Sequence, residues 1–392
     1  MTRRELIIAA VAAAAVLLVG GGIVAVAWPD DSPSSSPTTG ASVPTVPPEP
    51  SIPTLTDGPT NTSPTPEDDE GDNKGKKPAD APVLPNAPAP GQGPLPNSSP
   101  VTCPGATVNV TDANSLAQAL KDAQPGTSIA LADGKYVGKF VAETSGTAAQ
   151  PIWLCGGAGA VLDGDNVRGG YVFHLNKAKY WRLVGFTVTN GQKGVMADTT
   201  VGSVIQGLTV HDIGDEAIHL RAESTDNVVL RNTISKTGLR RDKFGEGVYI
   251  GTAVSNWCTT NNCQPDRSDR NVVKENKISQ TTSEAVDIKE GTTGGVLEGN
   301  TFDGSSLSGA DSWVDVKGNN WLIKDNSGTK STLDGFQTHQ ILKGWGDNNL
   351  FTGNTAVVDA SGLGFALRPP DSNKVACNNK VSGAQLSNVA CS

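Results

Sequence analysis

From Gly185 onward, a glycine or asparagine recurs directly ahead of a short apolar strand, at Gly185, Gly207, Asn232, Asn276, Asn300, Asn326, Asn354 and Asn379. The steps between them are 22, 25, 44, 24, 26, 28 and 25 residues. A sustained period of about 20–50 residues marks a solenoid, in which each turn buries its apolar face only against its neighbours. Six of the seven steps fit one turn of a single-stranded right-handed parallel β-helix. The 44-residue step reads as one turn carrying an insertion, Trp257 to Arg270, pinned by Cys258 and Cys263. The asparagines are expected in left-handed turns, hydrogen-bonded to their counterparts one turn above and below. Ahead of the repeats, residues 111–123 read as a short amphipathic helix. Asp112 or Asn114 caps it, and Leu116, Ala119 and Leu120 share the face that covers the open first turn.

A second strand recurs in each turn: Ala217–Arg221, Gly247–Gly251, Ala285–Lys289, Trp313–Lys317 and Gly364–Arg368. Aliphatic residues alternate inward, so the residues between them face out. Stacking the strands makes one outward column of His219, Tyr249, Asp287, Asp315 and Ala366. A neighbouring column holds Arg221, Gly251, Lys289, Lys317 and Arg368, and Leu342-Lys343 is expected to join the same series. Glu216, Glu246 and Glu284 form a third ladder just before the strands. Turns lie about 4.8 Å apart, so like charges in a column repel unless a cation or ligand intervenes. The plainer reading is a lattice of cross-strand salt bridges.

The rest of the chain is different in kind. Nineteen of the 25 prolines fall between Pro29 and Pro100, a stretch with no aromatic residue. Such a stretch buries too little apolar area to offset its ordering entropy, so 29–100 reads as a disordered linker and 101–392 as the folded domain. Residues 1–28 carry Arg3 and Arg4 ahead of an apolar run from Leu6 to Trp28, with Ala25-Val26-Ala27 as a cleavage-like pattern. This is a signal peptide or a retained membrane anchor, and either places the domain outside the cell, secreted or at its surface. Membrane contact is expected through this segment alone, and the domain is taken as a monomer. The six cysteines all lie in the folded part. In an oxidising compartment they read as three disulfides, and proximity favours Cys258–Cys263 and Cys377–Cys391, leaving Cys103–Cys155. The formal net charge of −9 argues against a nucleic-acid partner.

Two stretches carry a family resemblance. Ser128–Tyr136, SIALADGKY, and Ser145–Ile152, SGTAAQPI, resemble the opening of the polysaccharide lyase family that contains alginate lyases and chondroitinase B, within the pectate-lyase-like β-helix superfamily. Glu284-Ala285-Val286-Asp287-Ile288-Lys289 is similar to that family's E-x-x-S-x-K strand, with Asp287 in place of the serine. The resemblance implies Lys289 as base and Glu284 as a calcium ligand. Lys317 stands where the family has an arginine that transfers the second proton.

An extracellular lyase acting on an acidic, uronate-containing polysaccharide is therefore expected. Abstracting the proton α to a uronate carboxylate requires the carboxylate charge to be neutralised, by calcium or by a cation cluster. Calcium takes six to eight oxygens, so Glu246, Glu284, Asp287 and Asp315 are its candidate ligands. Arg221, Lys343 and Arg368 are expected to hold uronate carboxylates, and Tyr249 and Trp313 to line the groove. Two other readings stay open. Asp287 and Asp315 on adjacent turns would suit a glycoside hydrolase. A binding module would use Tyr249, Trp313 and Trp345 as a platform. Trp153 and Trp181 read as core. His174 and His211 read as structural, whereas His219 and His339 read as groove residues.

Overall fold

Three parallel sheets run the length of the domain, with eleven, ten and ten strands, and successive strands of one turn belong to different sheets. The computed structural model describes residues 94–392. The proposed signal or anchor segment, and the linker up to residue 93, lie outside the described residues. Among those described, no helix is long and apolar enough to cross a membrane. The result is a right-handed parallel β-helix, all-β apart from a few short helices. Its interior is a continuous column of fully buried Ile, Val, Leu and Phe, including the stacked pair Phe336–Phe365 with ring centroids 5.1 Å apart. The helix forms over Ala113–Asp122, with Asp112 and Ser115 closing a capping box. Leu116, Ala119 and Leu120 are buried on its inner face, against the strands of the first turn.

The asparagine ladder exists, with a shift in its geometry. Asn232, Asn276, Asn300, Asn326 and Asn354 each donate Nδ2 to the Oδ1 of the next asparagine, at 2.9–3.0 Å. Each Oδ1 also accepts the backbone N–H of the asparagine one turn before it. The left-handed residue is the one ahead of the asparagine: Arg231, Glu275, Gly299, Asp325 and Gly353 all have positive φ. Gly185 and Gly207 occupy that earlier position. The N–H of Leu208, one residue after Gly207, donates to Asn232. The asparagine side chain thus closes the corner that the left-handed residue turns.

The long turn between Asn232 and Asn276 carries two additions. One is the expected insertion after the strand Val248–Ile250, containing the short helix Trp257–Thr260. The other, before that strand, is the loop 236–247, with a 3₁₀ turn at Asp242–Phe244. The loop rests on the neighbouring turn, where Thr282 Oγ1 donates to the Asp242 carbonyl and Ser308 Oγ to the Asp242 carboxylate. The cysteines pair as Cys103–Cys155, Cys258–Cys263 and Cys377–Cys391.

Candidate active site

The outward columns stack in register. His219 lies against Tyr249, Tyr249 against Asp287, and Asp287 against Asp315. The next member is Gln337, from the strand Asp334–His339, followed by Ala366. That strand takes the place expected for Leu342-Lys343. Lys343 instead lies exposed in the turn that follows. Its turn was too irregular in length for the register to be read from spacing.

The polar side chains are buried and interlocked. Lys317 Nζ donates to Asp287 at 2.7 Å and to Asp315 at 2.9 Å. Lys289 Nζ meets the other Asp287 oxygen at 3.0 Å. His339 Nδ1 lies 2.9 Å from both Asp315 oxygens. Burial pushes the Asp315 carboxyl up, but Lys317 and His339 hold it well below the usual carboxylate range. Burial opposes the charge of Lys317, yet Asp287 and Asp315 raise its proton affinity far above that of a free lysine. Lys317 thus bridges two carboxylates on adjacent turns.

On the other side of Asp287, the glutamate ladder differs along its length. Lys193 Nζ lies 3.0 Å from Glu216. Against the effect of burial, Lys193 and then His219 hold Glu216 well below its ordinary value. Glu246 has no such partner. Burial first, then the charges of Glu216, Glu284 and Asp287, push it well above the normal range, and burial with Asp287 raises Glu284. Carboxylate oxygens of Glu246, Glu284 and Asp287 lie within 4.8 Å of one another. Asp315 stands outside this group, engaged by its cations.

A cavity opens between these residues and the two loops of the long turn, floored by Glu216, His219, Arg221, Glu246 and Tyr249 and walled by Phe244. Three buried polar atoms at this floor make no hydrogen bond: Glu216 Oε2, His219 Nδ1 and Glu246 Oε2. His219 Nε2 lies 2.8 Å from the Gly251 carbonyl, which only accepts, so that nitrogen carries a proton. The Tyr249 ring packs edge-on against His219, with centroids 4.2 Å apart, and the Lys289 ammonium lies 5.1 Å from the Tyr249 ring centre. Arg221 is aimed by neighbours: its Nε donates to Asp198 at 2.7 Å and Nη2 to the Tyr171 hydroxyl at 3.2 Å. Asp198 in turn accepts from His174.

Two expected aromatic residues move away from the groove. Trp313 is fully buried, its indole N–H donating to the Thr329 carbonyl. Gly304, Gly328 and Gly335 leave the space it fills, since a Cβ at any of them would collide with the indole. Trp345 is also buried, which removes the aromatic platform of a binding module. Trp153, expected in the core, is half-buried on an outward position beside Arg182, whereas Trp181 is core as expected. Arg368 keeps its expected place in the basic column, in register with His339, half-exposed and bound to Asp334 at 2.6 Å. Lys193, Asp198, Gln337 and the loop residue Phe244 join the site unannounced. The strand Lys193–Asp198 repeats the apolar alternation, with Val195 in register with Ile218, and extending the columns one turn back would have found the first two.

The groove and the fold together define a β-helix protein active on polysaccharides. Among solved structures, the chain is similar to an alginate lyase from Paenibacillus sp. str. FPU-7. The identity is 37%, covering 71% of this chain and 96% of that one, with a TM-score of 0.67. The chain belongs to the family of that β-helical alginate lyase. Pectate lyase Pel9A is 14% identical, over 70% of this chain and 75% of that one, with a TM-score of 0.46. Tailspike protein 2 of bacteriophage CBA120 is 9% identical, over 71% of this chain and 43% of that one, with a TM-score of 0.50, and shares the fold. No protein-family model and no curated protein matches the chain.

Proposed function

We propose that the protein is an extracellular lyase that cleaves a uronate polysaccharide by β-elimination. The observation that carries this reading is the pairing of the Lys289 amine with the Tyr249 ring at the cavity, beside Arg221. Membership of the alginate lyase family supports it. In this reading the substrate carboxylate sits on Arg221, whose guanidinium stabilises the charge that develops on proton loss. Lys289, as the neutral amine once its contact with Asp287 is given up, takes the proton from the carbon next to the carboxylate. The C–O bond to the 4-linked sugar breaks, leaving a C4=C5 double bond. Tyr249 gives its phenolic proton to the departing oxygen, the role the sequence assigned to Lys317. The hydrolase reading needs a protonated acid at Asp287 or Asp315. Asp315 is held ionised by Lys317 and His339, and both Asp287 oxygens are taken up by lysine contacts, which favours the lyase reading.

Calcium belongs to the proposal as well. The hard oxygen donors of Glu246, Glu284 and Asp287, with one Glu246 oxygen buried and unbonded, would hold it. The ion would supply positive charge to a crowded carboxylate ladder, and Asp287 would give up an ammonium contact to take part. The test follows unsaturated uronate ends by ultraviolet absorbance on alginate, pectate and glycosaminoglycans, with chelator and with calcium. Wild type should release them, whereas Lys289→Ala and Tyr249→Phe should lose at least a hundredfold in rate, the usual scale of a general acid or base. No release on any uronate polymer, or an undiminished rate in both variants, overturns the assignment. Equal melting temperatures and rates with chelator and with calcium reject the metal.

A further inference from the structure

We infer that Arg241 is a substrate-specificity residue that holds the carboxylate of a uronate bound beside the catalytic sugar, resting on the lyase reading above. The loop 236–247 places two guanidinium groups on one carboxylate. Asp215, fully buried, is already satisfied by Arg240, whose Nε and Nη2 meet its two oxygens at 3.0 and 2.5 Å. Gln192 donates to it as well, at 3.1 Å. Arg241 adds only a long contact of 3.3 Å to the same carboxylate.

Its Nε is buried and makes no hydrogen bond. The side chain as a whole is 31% exposed, so the N–H donors that Asp215 does not take are open to an anion that is not part of the chain. The group is also held in place. Its central carbon stacks 3.8 Å above the Phe244 ring, and Phe244 walls the cavity over Glu216, His219 and Tyr249. Planar stacking leaves the edge of the guanidinium to form the two parallel bonds that a carboxylate accepts.

The position is informative. Asp215 immediately precedes Glu216 on the cavity floor, and Arg221 closes the strand Ile218–Arg221 that follows. At about 3.3 Å per residue, positions 216 and 221 are about 16 Å apart along an extended chain. Two arginines therefore flank the floor, one at each end. A chain carrying a carboxylate on each sugar meets both, whereas a neutral polysaccharide leaves the surplus charge on Arg241 unmatched.

The experiment measures binding without turnover. Lys289→Ala and the double variant K289A/R241Q are titrated calorimetrically with an oligouronate and with its carboxyl-reduced, neutral counterpart. Losing one charge-assisted bidentate contact should weaken oligouronate binding about tenfold and leave the neutral sugar unchanged. Arg241→Lys keeps the charge but not the fork, and should lose affinity by an intermediate factor. It carries the test if the glutamine variant fails to fold. Equal oligouronate affinities with and without Arg241, or equal losses on both sugars, overturn the inference. A protein that binds oligouronate through Arg241 but releases no unsaturated ends overturns the lyase reading and leaves this one standing.

Discussion

Lys317 shows how a residue's chemistry is set by what is stacked beside it. From sequence it was a proton donor. In the fold its ammonium is clamped between two buried carboxylates on adjacent turns. Replacing it by methionine keeps much of the volume and removes one cation from each of two buried carboxylates. Breaking a buried pair in this way costs about 3–5 kcal/mol. Urea unfolding of Lys317→Met should show that loss, and a loss under about 1 kcal/mol would mean that the clamp is not structural. His339 gives a pH signature of the same cluster. Its bond to Asp315 raises its proton affinity, with burial opposing. A raised folded pKa adds stability fully present below the unfolded value of about 6.5, and lost as pH rises through the folded value. Wild type should therefore exceed His339→Gln in stability most on the acid side of neutrality, with the gap closing at alkaline pH. A gap that widens as pH rises would reverse the assigned pairing.

At the scale of the element, the asparagine corner is the most regular device in the molecule. Asn300 receives the backbone N–H and the Nδ2 of Asn276, and donates to the Val273 carbonyl and to Asn326. Asn300→Ala leaves several buried groups unbonded at once, each costing about 1–3 kcal/mol. Chemical denaturation should lose about 3 kcal/mol or more there. Asn379→Ala, at the less buried end of the ladder, should lose less. A ladder whose middle and end respond equally would not be cooperative. This element was legible because its residues repeat at a fixed interval. Which residue of each corner is left-handed was not, since Arg231, Glu275 and Asp325 carry no glycine signal. The outward columns were legible for the same periodic reason, and they fail where the period fails. Lys343 lies after a turn of unreadable length. Trp313 turns inward only because three glycines elsewhere in the chain make room, a fact no local pattern contains. The loop 236–247 was hidden because the long step was assigned wholly to the insertion at Cys258–Cys263.

At the scale of the whole chain, charge and substrate oppose each other: a protein of net charge −9 is read as acting on a polyanion. Most of that charge lies in the first hundred residues of the sequence. Residues 1–100 hold eleven acidic and five basic side chains, so about two thirds of the net charge belongs to them. The cations assigned to substrate, Arg221 and Arg241, act at contact distance, whereas the net charge acts across the solvent. Salt separates the two ranges. The screening length falls from about 30 Å at 0.01 M to about 10 Å at 0.1 M and about 3 Å at 1 M. Raising salt over the first interval removes the long-range repulsion and leaves the contacts, so KM for a polyuronate should fall. Raising it further weakens the contacts themselves, so KM should climb again towards 1 M. A cationic groove on a basic protein would instead show KM rising throughout. A monotonic rise from the lowest salt upward would mean that the acidic residues of the first hundred do not oppose the approach of the substrate, and that the local arginine field alone governs encounter.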